Sequence, residues 1–418
     1  MPCRPILDKI QRSRIKKYLG YIRSFQIDQL NVKEMLLWST LDACLGPNTL
    51  LLPNLTSLSI AYQQTNMLSY WVNIAPLLNS NIKTISLSVS STRVAEVLVS
   101  LLQSYGVMPT HIIYCGGPAK KTAQNLLQFS SLQSLRLDFT GHPLERRSCS
   151  IPVMHVFKTL PHLTELAIDL RVYPISQLEN PPLTLPKLLI LHVTGDVPDF
   201  GKLLQSIRCP SLQTLELSFP QDWSSVGKAL CDIILQIFPN LRHLTIKTVN
   251  IRHDQVVRIG ELRPLLVGLD LWSFQLINIG GNVLSPADFR FLIASWPHLH
   301  TLSIPFSDGL TFVEVRCLVS LTQSTCLYTV DLPLCFKSFT ELSPSITING
   351  SSSFVTEIQC SRYRGIPENY SGVLKVTQNL LRLFPRLRRI SGRGHEDWNL
   401  FRVQEIIDTF RKLLSDHI

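Results

Sequence analysis

Residues 238–246 read FPNLRHLTI. An aromatic residue and a proline open the phrase, and Leu241, Leu244 and Ile246 follow in the pattern L-x-x-L-x-I. The last two apolar residues are two apart, so they share one face of an extended strand while their neighbours turn the other way. Proline pushes the residue before it out of the helical region and ends whatever helix precedes it. What precedes it is SSVGKALCDIILQIF (224–238), in which Val226, Leu230, Ile233, Ile234 and Ile237 fall at helical spacing. The stretch reads as helix, stop, strand.

The phrase recurs along the chain. It reads LPNLTSLSI from Leu52, LPHLTELAI from Leu160, LPKLLILHV from Leu185, CPSLQTLEL from Cys209 and WPHLHTLSI from Trp296. Weaker copies are SSLQSLRL from Ser130, RPLLVGLDL from Arg263, TCLYTVDL from Thr325 and FPRLRRISG from Phe384. Degenerate ones begin at Tyr21, Asn81, Pro109 and Phe354. The first apolar positions are 22, 55, 82, 110, 132, 163, 188, 212, 241, 266, 299, 327, 355 and 387, a mean step of about 28. Helix-like spacers lie between them at 95–106, 287–296, 315–324 and 373–384.

One strand and one helix cannot bury both apolar faces, but stacked copies cover one another. The expected fold class is α/β, a leucine-rich-repeat solenoid with a curved parallel sheet inside and helices outside. It has about 14 irregular repeats of about 28 residues. A doubly wound sheet also alternates strand and helix, but it does not require one phrase at a nearly constant period. The expected organisation is an N-terminal capping helix at 1–24, the solenoid at 18–395 and a C-terminal capping helix at 396–418. Ile15, Leu19 and Ile22 are expected to turn inward at the first end, and Ile406, Ile407, Phe410, Leu413 and Leu414 at the second.

Composition narrows the class. The chain is 45% hydrophobic and only 17% charged, which excludes a mainly disordered protein. No apolar run is long enough to span a membrane, and MPCRPILDKI lacks the apolar core of a secretory leader. The ten cysteines are scattered without a C-x-x-C pair, as expected of buried thiols in a cytoplasmic or nuclear protein. CGGPAKKT (115–122) lacks both glycines of a phosphate loop, and HEDW (395–398) lacks the second histidine of a zinc site. With no nucleophile, paired-carboxylate or metal motif, the expectation is no enzyme, no metal and no cofactor.

What remains is a surface. Residues flanking the last two apolar positions are expected on the concave face. They include Ser134, Arg136, Asp138, Glu165, Asp169, His192, Glu216, His243, Lys247, Asp270, Trp272 and Glu357. From these, Arg136, Asp138, Glu165, Asp169, Glu216, His243, Lys247, Asp270 and Trp272 are the candidate partner-binding set. Trp272 reads either as an interface anchor or as packing under the 275–286 loop. The acids at 138, 165, 169 and 216 read either as a stripe or as a solvated sheet face. The long loops at 174–186, 277–286 and 338–353 are candidate rim insertions.

The phrases LPNLTSLSI, LPHLTELAI, FPNLRHLTI and WPHLHTLSI, with spacers of variable length, resemble the leucine-rich-repeat region of fungal-type F-box proteins from about residue 18 to 418. RIKKYLGYIRSFQI (14–27) resembles the helix and first strand that follow the F-box. In that family the box docks on the Skp-type adaptor of a cullin ubiquitin ligase and the repeats capture a substrate. Too few residues precede the resemblance to hold the box, so the F-box is expected to be missing. Adaptor binding is then expected only if a box lies upstream. The Asn or Cys that follows the last strand apolar by three in regular repeats is replaced by Thr140, Arg171, Asp196, Pro220, Val249, Phe274 and Ser307; Cys335 alone fits. Irregular turns are expected.

The expected function is a non-catalytic protein–protein interaction scaffold with its partner on the concave face. The resemblance implies the substrate-recognition part of an F-box-type receptor. The alternative is a basic solenoid that binds nucleic acid or a membrane surface, motivated by a net charge of +10. That charge is concentrated at the ends: residues 1–23 hold seven basic residues and one acid, and 380–418 hold eight and five. The body is nearly neutral, which disfavours a membrane or nucleic acid.

Overall fold

The structure is a computed structural model and describes residues 8–27, 32–46, 50–62, 74–89, 92–116, 125–126, 128–138, 157, 160–171, 182–221, 223–249, 258–279, 284–305, 312–340, 353–361, 363–392 and 398–415. Two compact units divide the chain, one of residues 1–194 and 205–211, the other of 195–204 and 212–418.

In the first unit seven strands run parallel in chain order: β1 (Ser24–Ile27), β2 (Ser57–Tyr62), β3 (Thr84–Val89), β4 (His111–Gly116), β5 (Ser134–Asp138), β6 (Glu165–Asp169) and β8 (Ile190–Thr194). A short pair, β7 (Leu183–Thr184) with β9 (Ile207–Arg208), lies outside that row. Its helices are α1 (Lys9–Leu19), α2 (Val32–Leu45) and α3 (Thr92–Ser104).

The second unit repeats the plan with β10 (Thr214–Phe219), β11 (His243–Thr248), β12 (Ser273–Ile277), β13 (Thr301–Ser303), β14 (Thr329–Asp331), β16 (Glu357–Cys360) and β18 (Arg389–Gly392). Its short outer pair is β15 (Leu334–Cys335) with β17 (Tyr363–Arg364). The helices that follow in chain order are α4 (Val197–Ser206), α5 (Trp223–Ile237), α6 (Ile259–Gly268), α7 (Pro286–Ser295), α8 (Val315–Leu321), α9 (Lys337–Thr340), α10 (Tyr370–Leu383) and α11 (Trp398–Ser415). The chain has the fold of an α/β leucine-rich-repeat solenoid.

Alternation within strands such as β10 and β11 builds the core. In β10, Leu215, Leu217 and Phe219 are fully buried, while Thr214, Glu216 and Ser218 are half-exposed. β11 repeats this with Leu244 and Ile246 inside and His243, Thr245 and Lys247 outside. On the helices, residues such as Leu230, Cys231 and Ile234 of α5 are fully buried as well. Burying each such leucine contributes about 1.5–3 kcal/mol, which is why every repeat spends its leucines on one face.

One hydrogen-bond device sets the register. Just ahead of most strands of the long rows, a carbonyl accepts two N–H groups from the next repeat. Arg23 O takes Thr56 and Ser57, at 2.8 and 3.1 Å. Arg242 O takes Trp272 and Ser273, at 2.7 and 3.1 Å, and Trp272 O takes His300 and Thr301, at 2.8 and 3.1 Å. A parallel strand needs evenly spaced bonds, and this doubled acceptor marks where each rung begins.

That marker corrects two repeat positions. The tenth repeat begins at 271, not 266: Arg263–Gly268 belongs to α6, whose Leu262, Leu265 and Leu266 are buried. The strand phrase is Leu271-x-x-Phe274-x-Leu276. Apolar residues at 266, 269, 271, 274 and 276 satisfy the pattern in two registers, and only helix packing distinguishes them. The fourth repeat begins at the buried Pro109 rather than at 110, because Thr110 O is the acceptor for Gln133 and Ser134. Corrected steps run from 23 to 33 residues.

Polar side chains one residue ahead of the first apolar position tie several repeats to the one before. Asn54 Nδ2 donates to Gly20 O, Asn81 Nδ2 to Pro53 O, Ser131 Oγ to Pro109 O and Ser211 Oγ to Pro186 O, at 2.8–3.0 Å. Each satisfies a carbonyl of the preceding repeat that no strand reaches. Cys335 sits in β15, its N–H on Val313 O at 3.1 Å.

At the ends, Ile15, Leu19 and Ile22 are half-buried and no residue of α1 is fully buried. In α11, Leu400, Val403, Ile406 and Ile407 are buried and Phe410 is half-buried, but Leu413 is 54% exposed. The last turn of α11 therefore departs from the expected apolar face. The central parts of the three long loops (172–181, 280–283 and 341–352), the stretch 117–122 and residues 395–397 lie outside the described residues.

Candidate protein-binding surface

The sheet face turned away from the helices carries parallel rows one rung apart. In the first unit one row is Ser134, Glu165 and Ile190, and the next is Arg136, Ala167 and His192. Arg136 is exposed and Asp138 half-exposed. Ser134 Oγ donates to Glu165 Oε2 at 2.9 Å, and His192 Nε2 lies 4.0 Å from Glu165 Oε1. Asp169 follows the same parity but is only 3% exposed. Its carboxylate accepts from Arg171 Nε at 2.9 Å, Arg171 Nη2 at 2.6 Å and Arg171 N at 3.0 Å. This acid is turned into an internal ion pair and does not extend an exposed stripe. Glu216 belongs to the second unit.

In the second unit, Glu216, His243 and Lys247 stand on the open face, half-exposed. The register shift moves Asp270 and Trp272 off the strand. Asp270 lies two residues ahead of the doubled acceptor and meets His298 Nδ1 at 2.8 Å. Trp272 is itself the doubled acceptor, at the leading edge of the sheet. Further along, the open face closes: Ser303 is 4% exposed and Asp331 2%, joined by a Ser303 Oγ to Asp331 Oδ2 bond of 2.9 Å.

The leading edge stays open there and carries a column of rings. The guanidinium of Arg242 lies 4.3 Å over Trp272, which contacts His300 at 5.4 Å between ring centroids. His300 meets Tyr328 at 5.5 Å, and Tyr328 meets Phe354 at 6.2 Å. Arg386 closes the series, its guanidinium 3.9 Å over Phe354. His243, on the open face, touches Trp272 edge-on at 6.4 Å. Burial holds the His243 pKa below its ordinary value, with repulsion from Arg242 and His300 adding to the effect. Trp272, His300 and Phe354 are half-buried; Tyr328 is 43% exposed.

Of this column only Trp272, with His243 beside it, stands in the candidate set read from sequence. Arg242, His300, Tyr328, Phe354 and Arg386 were missed. Their signal was present: Arg242, Trp272, His300 and Tyr328 each follow the first leucine of a phrase. It becomes legible only once the tenth repeat is in register.

Five described cysteines (Cys44, Cys209, Cys231, Cys317 and Cys360) are buried, and none of those described is in a disulfide. Burial pushes the Cys209 thiol up to about 12 and Cys317 to about 11. Among the described residues, no group of three or more His, Cys, Asp or Glu is placed to hold a metal ion, and no helix is long and apolar enough to cross a membrane.

No protein-family model matches the chain, and no curated protein matches it. Solved structures do. The crystal structure of the Rad7 and Elc1 complex in yeast aligns at TM-score 0.41 and 14% identity, over 92% of this chain and 79% of that one. A Bacteroides fragilis protein aligns at TM-score 0.30 and 11% identity, over 79% and 73%. The leucine-rich-repeat-containing protein LegL7 from Legionella pneumophila aligns at 0.28 and 12%, over 95% and 94%. At these scores the likeness carries no argument about function.

Proposed function

We propose that the chain is a non-catalytic protein-interaction scaffold whose partner is held on the open face of the sheet. The observation that supports this most is the row of half-exposed polar side chains at fixed register beside the ring column: His243, Thr245 and Lys247 next to Ser273 and Gln275. Parallel strands space such side chains about 4.8 Å apart on a rigid backbone, a surface that can be read by another chain. The resemblance to F-box proteins makes it, within this reading, the substrate-capturing part of a ubiquitin-ligase receptor. Segments 1–24 and 396–418 close the ends of the repeats in the same reading.

A photo-cross-linking residue at Gln275 or Thr245 tests the scaffold role, with Lys228 on the exposed side of α5 as control. Cross-links to a discrete protein from the open face alone are expected. Equal yields from both faces, or none from either, would defeat the proposal. Co-purification of a Skp-type adaptor tests the ligase reading separately. Binding to oligonucleotides that collapses with added salt would favour the basic alternative instead.

A further inference from the structure

We propose that the column Arg242, Trp272, His300, Tyr328, Phe354 and Arg386 docks an acidic, extended peptide segment of the partner; the inference rests on the scaffold reading above. Three observations carry it. First, the column is continuous across six consecutive repeats, from the one that ends in β11 to the one that ends in β18. Neighbouring rings are tilted or edge-to-face, at 51°, 59° and 77°. The guanidiniums of Arg242 and Arg386 cover one face each of Trp272 and Phe354, and the rings meet their neighbours tilted or edge-on, so few ring faces are left free. Ring edges carry the positive side of the aromatic quadrupole, which suits apolar side chains flanked by anions.

Second, these cations are without an anion among the described residues: no carboxylate there pairs with Arg242, Arg386 or Arg388, whereas Arg389 lies 3.7 Å from Glu357. Arg411 adds a further charge beside them, donating to Leu387 O at 3.1 Å and also to Pro385 O. An exposed guanidinium recognises a carboxylate through two parallel N–H bonds. Third, Ser303 and Asp331 are buried on the open face, which leaves Thr301 and Thr329, beside the column, as the half-exposed residues of β13 and β14.

Length then constrains the ligand. Arg242 and Arg388 stand five rungs apart, about 24 Å at the usual strand spacing. An extended chain covers about 3.3 Å per residue, so carboxylates about seven positions apart reach both arginines. Apolar side chains between them would lie on Trp272 and Tyr328. Single-stranded nucleic acid fits less well, because bases need open ring faces to stack upon.

The test is selection of a random-peptide phage library on the full chain, followed by anisotropy with the recovered labelled peptide. Enrichment of sequences with acids flanking an apolar centre is expected. Their affinity should fall at least about tenfold in an Arg242→Glu, Arg388→Glu double variant and in Tyr328→Ala, with thermal melts to show that the variants remain folded. Enrichment of non-acidic peptides, or acidic peptides unaffected by these substitutions, would overturn the inference and leave the scaffold reading standing. No enrichment, together with no cross-linked protein, would remove both. A labelled oligouridine whose binding is lost in the same variants would assign the column to nucleic acid and overturn the peptide.

Discussion

The guanidinium of Arg242 lies 4.3 Å over the indole of Trp272, although thirty positions separate them in the chain. The contact exists because Arg242 O accepts the N–H of Trp272, which brings consecutive repeats side by side at that rung. Replacing Trp272 with alanine removes the cation–π contact and the contacts to His243 and His300. A loss of about 1–3 kcal/mol is expected in urea denaturation. Arg242→Ala should cost less, about 0.5–1 kcal/mol, because only the exposed guanidinium contact goes.

Strand parity makes a sharper contrast. Leu244 is fully buried and Thr245 half-exposed, one residue apart in β11. Leu244→Ala should destabilise by about 2–5 kcal/mol through transfer and cavity terms. Thr245→Ala should stay within about 0.5 kcal/mol. Equal effects in chemical denaturation would contradict the assigned faces.

Two helical glycines should respond with opposite signs. Alanine is the better helix former by about 1 kcal/mol. A Cβ at Gly260 of α6 meets nothing within 4 Å, so Gly260→Ala should stabilise. At Gly227 of α5 it would fall 2.4 Å from the Trp223 ring, which is fully buried and donates Nε1 to Glu261 Oε2 at 2.6 Å. Overpacking outweighs propensity there, and Gly227→Ala should lower the melting temperature.

His243 makes stability depend on pH. Its folded pKa lies below the ordinary 6.5 through burial and the nearby Arg242 and His300. The unfolded chain therefore binds more protons between the folded and unfolded values. The contribution is complete above 6.5 and is lost as pH falls through the folded pKa. His243→Gln should flatten that part of the stability–pH curve, and NMR titration of His243 should give a midpoint below 6.5.

Thiol reactivity should sort by burial. Cys326 and Cys335 are half-buried, whereas Cys209 and Cys317 are buried with thiols raised to about 12 and about 11. The thiolate is the reactive form. Iodoacetamide at neutral pH should modify Cys326 and Cys335 well before Cys209, Cys231, Cys317 or Cys360, as read by peptide mass mapping.

The sequence by itself determined the repeat. Leucines two apart after a proline, renewed about every 28 residues, admit one economical burial scheme, and α3, α5, α7 and α10 stand within three residues of their expected bounds. Periodicity is a local property, so it is legible without coordinates. It was not sufficient where apolar residues crowd, as at 266–276, because two registers then satisfy the same pattern. Only packing chose between them, by burying Leu262, Leu265 and Leu266 in α6. That choice moved Trp272 from the open face to the leading edge and aligned it with Arg242, His300 and Tyr328. Contacts between residues about thirty apart depend on register across the rungs, and register is settled by tertiary hydrogen bonds that no single repeat contains.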